Sequence, residues 1–150
     1  MSDSGSVVSL AIRAGKGGPM RELTEVAATT GGGLEGDNRS SRNRGVTLLA
    51  LERWSLAVNE LRVELPWHTR RANVLVSGID LASSIGRTLR IGEVEIAVVA
   101  ETEPCEVMDR QRAGLRQALT PDCRGGVYGR IVRGGTLRVG DAVVIGDALE

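Results

Sequence analysis

The sequence predicts a mainly β protein: a β-rich α+β domain in which a barrel-like sheet is accompanied by two or three helices. Glycine accounts for 20 of the 150 residues and separates short runs of valine, isoleucine and leucine. That pattern is typical of many short strands joined by tight turns. Phenylalanine is absent, and the only aromatic residues are Trp54, Trp67 and Tyr128. Aliphatic side chains must therefore form most of the core.

Short apolar or alternating runs bounded by glycine, proline or charged residues predict the strands. They lie at residues 7–13, 46–50, 73–79, 126–132 and 136–145, with a hairpin over 89–99 that turns at 91–93. Side chains alternate along a strand, so Val94, Ile96 and Val98 should share the inner face of the hairpin. The glycine-rich segments 15–19 and 31–45 are predicted loops.

Two segments have the apolar spacing of helices. In the first, apolar residues recur at intervals of three and four and define one helix face, namely Leu51, Trp54, Val58, Leu61 and Leu65. Pro66 ends this predicted helix. A second helix is predicted from Pro104 to about Thr120, with Pro121 stopping it. Its apolar positions are Met108, Leu115 and Leu119.

One short pattern occurs twice. Residues 88–93 read Thr-Leu-Arg-Ile-Gly-Glu, and residues 136–141 read Thr-Leu-Arg-Val-Gly-Asp. Each copy predicts a strand, a tight glycine turn and an acid. Two hairpins of one barrel that share their turn chemistry account for the near-repeat, which therefore supports the fold and carries no information about function.

Length and charge narrow the functional classes. The chain fits one domain, expected over residues 7–150, with a flexible N-terminus at 1–6. Its 19 basic and 19 acidic residues give no net charge, and few aromatics are available to stack on bases, so nucleic acid is not an expected partner. No apolar stretch approaches the ~20 residues of a membrane span, and none resembles a signal peptide. We expect a soluble, cytoplasmic protein without a membrane partner.

The cysteines are the sharpest chemical candidates. Cys105 and Cys123 are the only two, too few for a disulfide framework, so reduced thiols are expected. Cys105 follows Pro104 at a predicted helix start, where the helix dipole stabilises a thiolate that binds soft metals or carries a persulfide. The alternative is a buried Cys105 that acts as a small apolar residue. Cys123, in a predicted turn, is interpreted as structural, and His68 is left unassigned.

Several segments, taken in order, resemble the MOSC domain, which is the C-terminal domain of molybdenum cofactor sulfurases and also occurs alone in bacterial proteins. The resemblance covers roughly residues 7–145. Asp37 lies in the first of these segments, Asn73 in an Arg-x-Asn strand, and Cys105 at the position of the family's signature cysteine. The matching segments are 35–39, 44–49 with Glu52, 71–80, 89–92, 103–108, 125–130 and 140–141.

The resemblance implies a function as well as a barrel-like fold. It implies binding of the molybdenum–pterin cofactor, with Cys105 as molybdenum ligand or sulfur carrier, and in some members the reduction of N-hydroxylated compounds. Implied partners are a sulfur donor such as a cysteine desulfurase and an external electron donor. Whether the chain is a carrier or an enzyme is left open. The lysine-bearing desulfurase domain has no counterpart here, so pyridoxal phosphate is not expected.

The cofactor contacts combine this resemblance with the chemistry of the side chains. Pterin cofactors end in a phosphate or nucleotide, and guanidinium groups match phosphate oxygens in two-pronged pairs. Arginines of the 39–44 loop and of the 70–71 strand start are therefore expected to neutralise the phosphate. The predicted cofactor-binding residues are Asp37, Arg39, Arg44, Arg71, Asn73, Thr102, Glu103 and Arg130.

A second hypothesis belongs to another class. Residues 129–141 are similar to the barrel domains that follow the GTPase core of translation factors, which would make the chain a non-catalytic β-barrel interaction module. The similarity is local, and the phosphate-binding loop of such GTPases is missing. Copurified molybdenum would favour the first hypothesis, and a colourless, metal-free protein with an inert Cys105 would favour the second.

Overall fold

The computed structural model describes residues 4–15, 18–38 and 45–149. Its elements in chain order are β1 (Ser4–Arg13), β2 (Met20–Leu23), β3 (Glu25–Ala28), β4 (Val46–Ala50), α1 (Leu51–Leu61), β5 (Val74–Ser77), β6 (Arg87–Ile91), β7 (Val94–Glu101), α2 (Glu106–Gln111), α3 (Leu115–Leu119), β8 (Val127–Arg133), β9 (Gly135–Arg138) and β10 (Ala142–Ala148). Single 3₁₀ turns lie at Trp67–Arg70, Leu81–Ser84 and Pro121–Cys123.

Seven of these strands close into a barrel, in the order β1-β5-β4-β8-β7-β6-β10 and back to β1. The β4–β5 pair is parallel, and the other pairs around the ring are antiparallel. β2 pairs with the C-terminal half of β1, and β3 pairs with β9 in a separate two-stranded sheet. The predicted β-rich, barrel-like fold with two or three helices is confirmed, and the described residues contain three.

Two clusters of apolar side chains stabilise the fold. The first fills the barrel and includes Val94, Ile96 and Val98, which are fully buried as the predicted hairpin required. The second joins the outside of β1, β4 and β5 to the helices, and Trp54, Leu75 and Leu115 are among its members. Strands of this part of the barrel are thus apolar on both faces, because one face meets the core and the other the helices.

Several predicted boundaries are wrong. β1 begins at Ser4, so residues 4–6 belong to a strand where a flexible segment was expected. They are held there because residues 4–6 pair with β10. The predicted strand over 136–145 is two strands, β9 and β10, because Gly140 adopts a left-handed turn (φ 95°) between them. β2 and β3 were not predicted, since four-residue strands with charged residues have little apolar alternation.

Both helix predictions were too long. α1 ends at Leu61 because Arg62 is left-handed (φ 55°) and its N–H bonds back to Asn59, which is a common helix termination. Pro66 also disfavours helical backbone in the residue before it. The second predicted helix is two helices, since Gly114 is left-handed (φ 90°) and separates α2 from α3. Its apolar positions are nevertheless buried together in the second cluster.

Candidate functional site

A cavity of about 210 Å³ lies where the outer surface of the barrel meets α2. One part of its wall is formed by the C-terminal end of β1, the residues after Leu34 and the starts of β4 and β5. The other part is formed by the turn before α2 and the turn before β8. The lining residues are Arg13, Met20, Asp37, Asn38, Thr47, Arg70, Arg71, Ala72, Asn73, Thr102, Cys105, Val107, Met108 and Gly125.

Cys105 is exposed and lines this cavity. It is the residue immediately before α2, with extended backbone (φ −125°, ψ −176°), and its carbonyl accepts a hydrogen bond from the Met108 N–H at 2.9 Å. The predicted helix start at this cysteine is confirmed. The alternative of a thiol enclosed in the apolar core does not describe Cys105.

Among the residues that the structure describes, three arginines and one carboxylate line the cavity, which gives this part of its walls a net positive charge. Arg13 ends β1, and Arg71 precedes β5 in a left-handed conformation (φ 64°) with its N–H bonded to the His68 carbonyl at 2.9 Å. A non-glycine residue in that conformation is uncommon and strained. Here it turns the chain from the 3₁₀ turn into β5. Positive walls of this kind attract anions.

Arg70 lies deeper, with 6% of its surface exposed. Its Nη2 donates to the Thr102 carbonyl at 2.8 Å, its Nε donates to the Gly125 carbonyl at 3.0 Å, and its Nη1 lies 3.7 Å from the Met108 sulfur. The sequence placed Arg70 among the arginines that neutralise a phosphate. In the structure it also links three segments of the cavity wall.

Asp37 and Asn73 have structural contacts that the sequence did not indicate. The Asn73 side-chain oxygen accepts from Thr47 N–H and hydroxyl at 3.1 and 3.0 Å, and its amide donates to the Ala11 carbonyl at 3.1 Å. The same amide donates to Asp37 at 3.3 Å, and Asp37 accepts from the Arg13 N–H at 2.8 Å. These bonds join β1, β4 and the start of β5 behind the cavity, and they hold the Asp37 carboxylate at its rim.

Thr102 presents an unsatisfied polar group. It is 8% exposed, and its hydroxyl oxygen is buried without a hydrogen-bond partner. A buried hydroxyl without a partner costs free energy. Since Thr102 lines the cavity, a ligand oxygen there would satisfy the hydroxyl.

Cys123 differs from Cys105 in its burial and in its surroundings. It is half-buried against the barrel core, and its sulfur lies 3.6 Å from the Gly126 carbonyl. Burial, and after it the negative charge of Glu101, raises the pKa of the Cys123 thiol to about 11. The thiolate needed for chemistry is therefore scarce at neutral pH.

The predicted site residues divide into three groups. Asp37, Arg71, Asn73, Thr102 and Cys105 all line the one cavity. Two others are exposed and do not line it, namely Glu103 after β7 and Arg130 on β8. The remaining two, Arg39 and Arg44, lie outside the described residues.

Other lining residues were not predicted, among them Arg13, Met20, Thr47 and Met108. The sequence indicated only that Arg13 ends a strand and that Met108 is an apolar position of a helix. Their common location depends on the pairing of β1 with β5 and on the packing of α2. No local sequence signal records either contact.

The described residues contain neither a cluster of metal-ligating side chains nor a membrane-spanning helix. Within ranges 4–15, 18–38 and 45–149, no group of three or more histidine, cysteine, aspartate or glutamate residues is arranged to hold a metal ion. Among the helices of the same ranges, none combines the length and apolarity that crossing a bilayer requires.

Comparisons with known proteins agree with this architecture. The YuaD protein of Bacillus subtilis is similar in structure (TM-score 0.80, 18% identity), over 97% of each chain. YiiM of Escherichia coli has a TM-score of 0.75 at 15% identity, over 97% of this chain and 71% of that one. YiiM of Geobacillus stearothermophilus has a TM-score of 0.72 at 12% identity, over 95% and 75%. At these identities the likeness shows the fold alone.

A search of curated protein sequences found no significant match. The family model of the MOSC domain, in contrast, matches residues 36–144. That match spans more than half of the chain and includes Asp37, Asn73 and Cys105 of the cavity wall. This chain belongs to the MOSC domain family.

Proposed function

We propose that this protein binds a molybdenum–pterin cofactor in the Cys105 cavity and uses the Cys105 thiol as a molybdenum ligand or as a sulfur carrier. The MOSC family is generally associated with molybdenum cofactor binding. One observation carries the proposal for this chain. An exposed thiol opens into a cavity whose described walls hold three arginines and one carboxylate.

The lining residues fit a phosphorylated pterin. Arg13 and Arg71 offer guanidinium groups that pair with phosphate oxygens. The Thr102 hydroxyl is a buried group in need of a partner, and Asp37 offers a carboxylate oxygen to the N–H groups of a pterin ring. Met20 and Val107 supply apolar surface for the ring itself.

When bound, the cofactor supplies a molybdenum centre that does the redox or sulfur chemistry, while the protein contributes binding and orientation. Cys105 contributes a soft sulfur donor, which suits molybdenum and also suits a transferable persulfide sulfur. Because this thiol is exposed, a sulfur or electron donor can approach it without opening the barrel.

The same binding step would serve either of two alternative roles. As a carrier, Cys105 would receive sulfur from a donor such as a cysteine desulfurase. As an enzyme, the protein would take electrons from an external donor and reduce N-hydroxylated compounds. Both thiols are free in the structure, which suits a reducing compartment such as the cytoplasm, and we place the protein there.

The test is expression in a host that makes molybdenum cofactor, followed by molybdenum and pterin analysis of the purified protein. Wild type should contain both in close to equal amounts. Cys105→Ser should lose most of the molybdenum, because serine lacks the soft sulfur ligand. Cys123→Ser is the matched control and should retain it, since Cys123 lies outside the cavity lining.

Two results would contradict the proposal. One is wild-type protein that is colourless and free of molybdenum and pterin after purification from such a host, which would favour the interaction-module hypothesis. The other is equal molybdenum content in Cys105→Ser and wild type.

A further inference from the structure

We propose that Arg70 is a positioning residue that fixes the turn carrying Cys105 by bonding to both flanks of that turn. The inference uses the proposed function only in taking Cys105 as the working thiol. It concerns the immobility of the thiol, which is measurable in protein that contains no cofactor.

Arg70 contacts residues on both sides of Cys105 in the sequence. Its Nη2 donates to the Thr102 carbonyl at 2.8 Å, three residues before the cysteine, and its Nη1 lies 3.7 Å from the sulfur of Met108, three residues after it. One planar guanidinium therefore contacts the residues on either side of the turn. An exposed cysteine has little packing of its own to hold it, so its position depends on these flanks.

A third contact ties the turn to the barrel. Arg70 Nε donates to the Gly125 carbonyl at 3.0 Å, and the Thr102 N–H donates to the Gly126 carbonyl at 2.8 Å. A Cβ atom on Gly125 would lie 2.6 Å from the Thr102 carbonyl oxygen and 3.1 Å from Arg70 Nη2. Glycine is thus required for this approach of the two turns and the guanidinium.

The geometry calls for arginine in particular. A guanidinium carries five N–H donors in a rigid plane, so it can donate to two separate carbonyls at once, whereas the lysine ammonium is a single point on a flexible stem. Burying a charged group that lacks hydrogen bonds is costly. At 6% exposure, Arg70 is stable there because these carbonyls accept from it.

The experiment uses a nitroxide spin label on Cys105, in a Cys123→Ser background so that only one thiol reacts. Electron paramagnetic resonance spectra then report the mobility of the label. We compare the background protein with two variants. Arg70→Met keeps a flexible unbranched stem and removes all donors, and Arg70→Lys keeps the charge but loses the planar set of N–H donors. Both variants should shift the spectrum toward faster motion.

Arg124→Met is the matched control. Arg124 is a second buried arginine, 8% exposed, that donates to the Ala118 carbonyl at 3.0 Å and pairs with Glu60 at 2.8 Å. Its bonds go to α3 and α1 rather than to the flanks of Cys105. This variant should lower the melting temperature but leave the label spectrum unchanged, which separates positioning from general destabilisation.

Three outcomes would overturn the inference: an unchanged spectrum in the Arg70 variants, an equal shift in Arg124→Met, or a spectrum in Arg70→Lys that matches the background protein. If Arg70→Met does not fold, Arg70→Lys alone decides. A protein that binds no molybdenum but shows the expected shifts would retain this inference and reject the proposed function.

Discussion

At the scale of single residues, the two cysteines show how surroundings determine the chemistry of a side chain. Cys105 is exposed at the cavity, and Cys123 is half-buried beside Glu101 with a pKa raised to about 11. The sequence singled out Cys105 because of its motif and its place before a helix, and it assigned Cys123 a structural role. It contained no information on the burial that separates the two.

We expect an alkylating reagent to modify Cys105 before Cys123 at neutral pH. Alkylation requires the thiolate, and a raised pKa keeps Cys123 protonated until the pH approaches about 11. Modification of Cys123 should therefore accelerate as the pH rises from about 9 to about 11. Mass spectrometry of peptides after timed alkylation measures both rates, and equal rates at neutral pH would refute the assignment.

Asn73 lines the cavity, as expected of a cofactor contact, and it also links strands through bonds that the sequence did not indicate. Asn73→Ala leaves the Thr47 and Ala11 groups without their partner, so we expect a loss of about 1–3 kcal/mol in the free energy of unfolding. Asn59→Ala, at an exposed position of α1, should change it by less than about 0.5 kcal/mol. Urea denaturation measures both, and similar values for the two variants would contradict the account.

At the scale of elements, the longer apolar strands were predictable, whereas the short strands β2 and β3 and the helix ends were not. The strand at Val46–Ala50 and the hairpin of β6 and β7 follow from apolar alternation and a glycine turn, which are local. The break at Gly114 and the end of α1 at Arg62 depend on left-handed backbone that a helical pattern of apolar residues does not reveal. Periodicity reports which side chains are buried; it does not report where the backbone turns.

Two glycines with similar backbone test the packing of the turn before β8. Gly126 (φ 90°) and Gly86 (φ 80°) are both left-handed. A Cβ atom on Gly126 would clash with the Leu48 carbonyl, whereas one on Gly86 would meet nothing within 4 Å. Gly86→Ala should cost about 1–2 kcal/mol, the price of the backbone conformation alone. Gly126→Ala should lower the free energy of unfolding by more than Gly86→Ala does. Urea denaturation measures both losses, and equal losses would contradict the described packing.

At the scale of the whole molecule, the barrel closes only because the two ends of the chain meet. Residues 4–6 of β1 pair with residues 142–144 of β10. The near-repeat and the many short strands predicted a barrel, but nothing in the sequence specified these partners, since pairing of distant strands has no local signal. The cavity depends on the same long-range arrangement, which explains why Arg13 and Met20 were not identified in advance.

Deletion of residues 142–150 should prevent cooperative folding. It would remove Val143 and Ile145 from the core and leave β6 and residues 4–6 of β1 without a neighbour on one side. Deletion of residues 149–150 retains all of β10 and is the control. Thermal melts followed by near-ultraviolet circular dichroism should show a cooperative transition only for the shorter deletion. A cooperative transition in both proteins would show that closure is dispensable.

We propose that a molybdenum–pterin binds at Cys105, and locating the metal in a crystal tests this proposal. Crystals of protein purified from a host that makes the cofactor would be measured at the molybdenum absorption edge, and an anomalous difference map calculated. We predict one strong peak in the cavity beside the sulfur of Cys105. A map without a peak there, or with its peak elsewhere on the protein, would contradict the account.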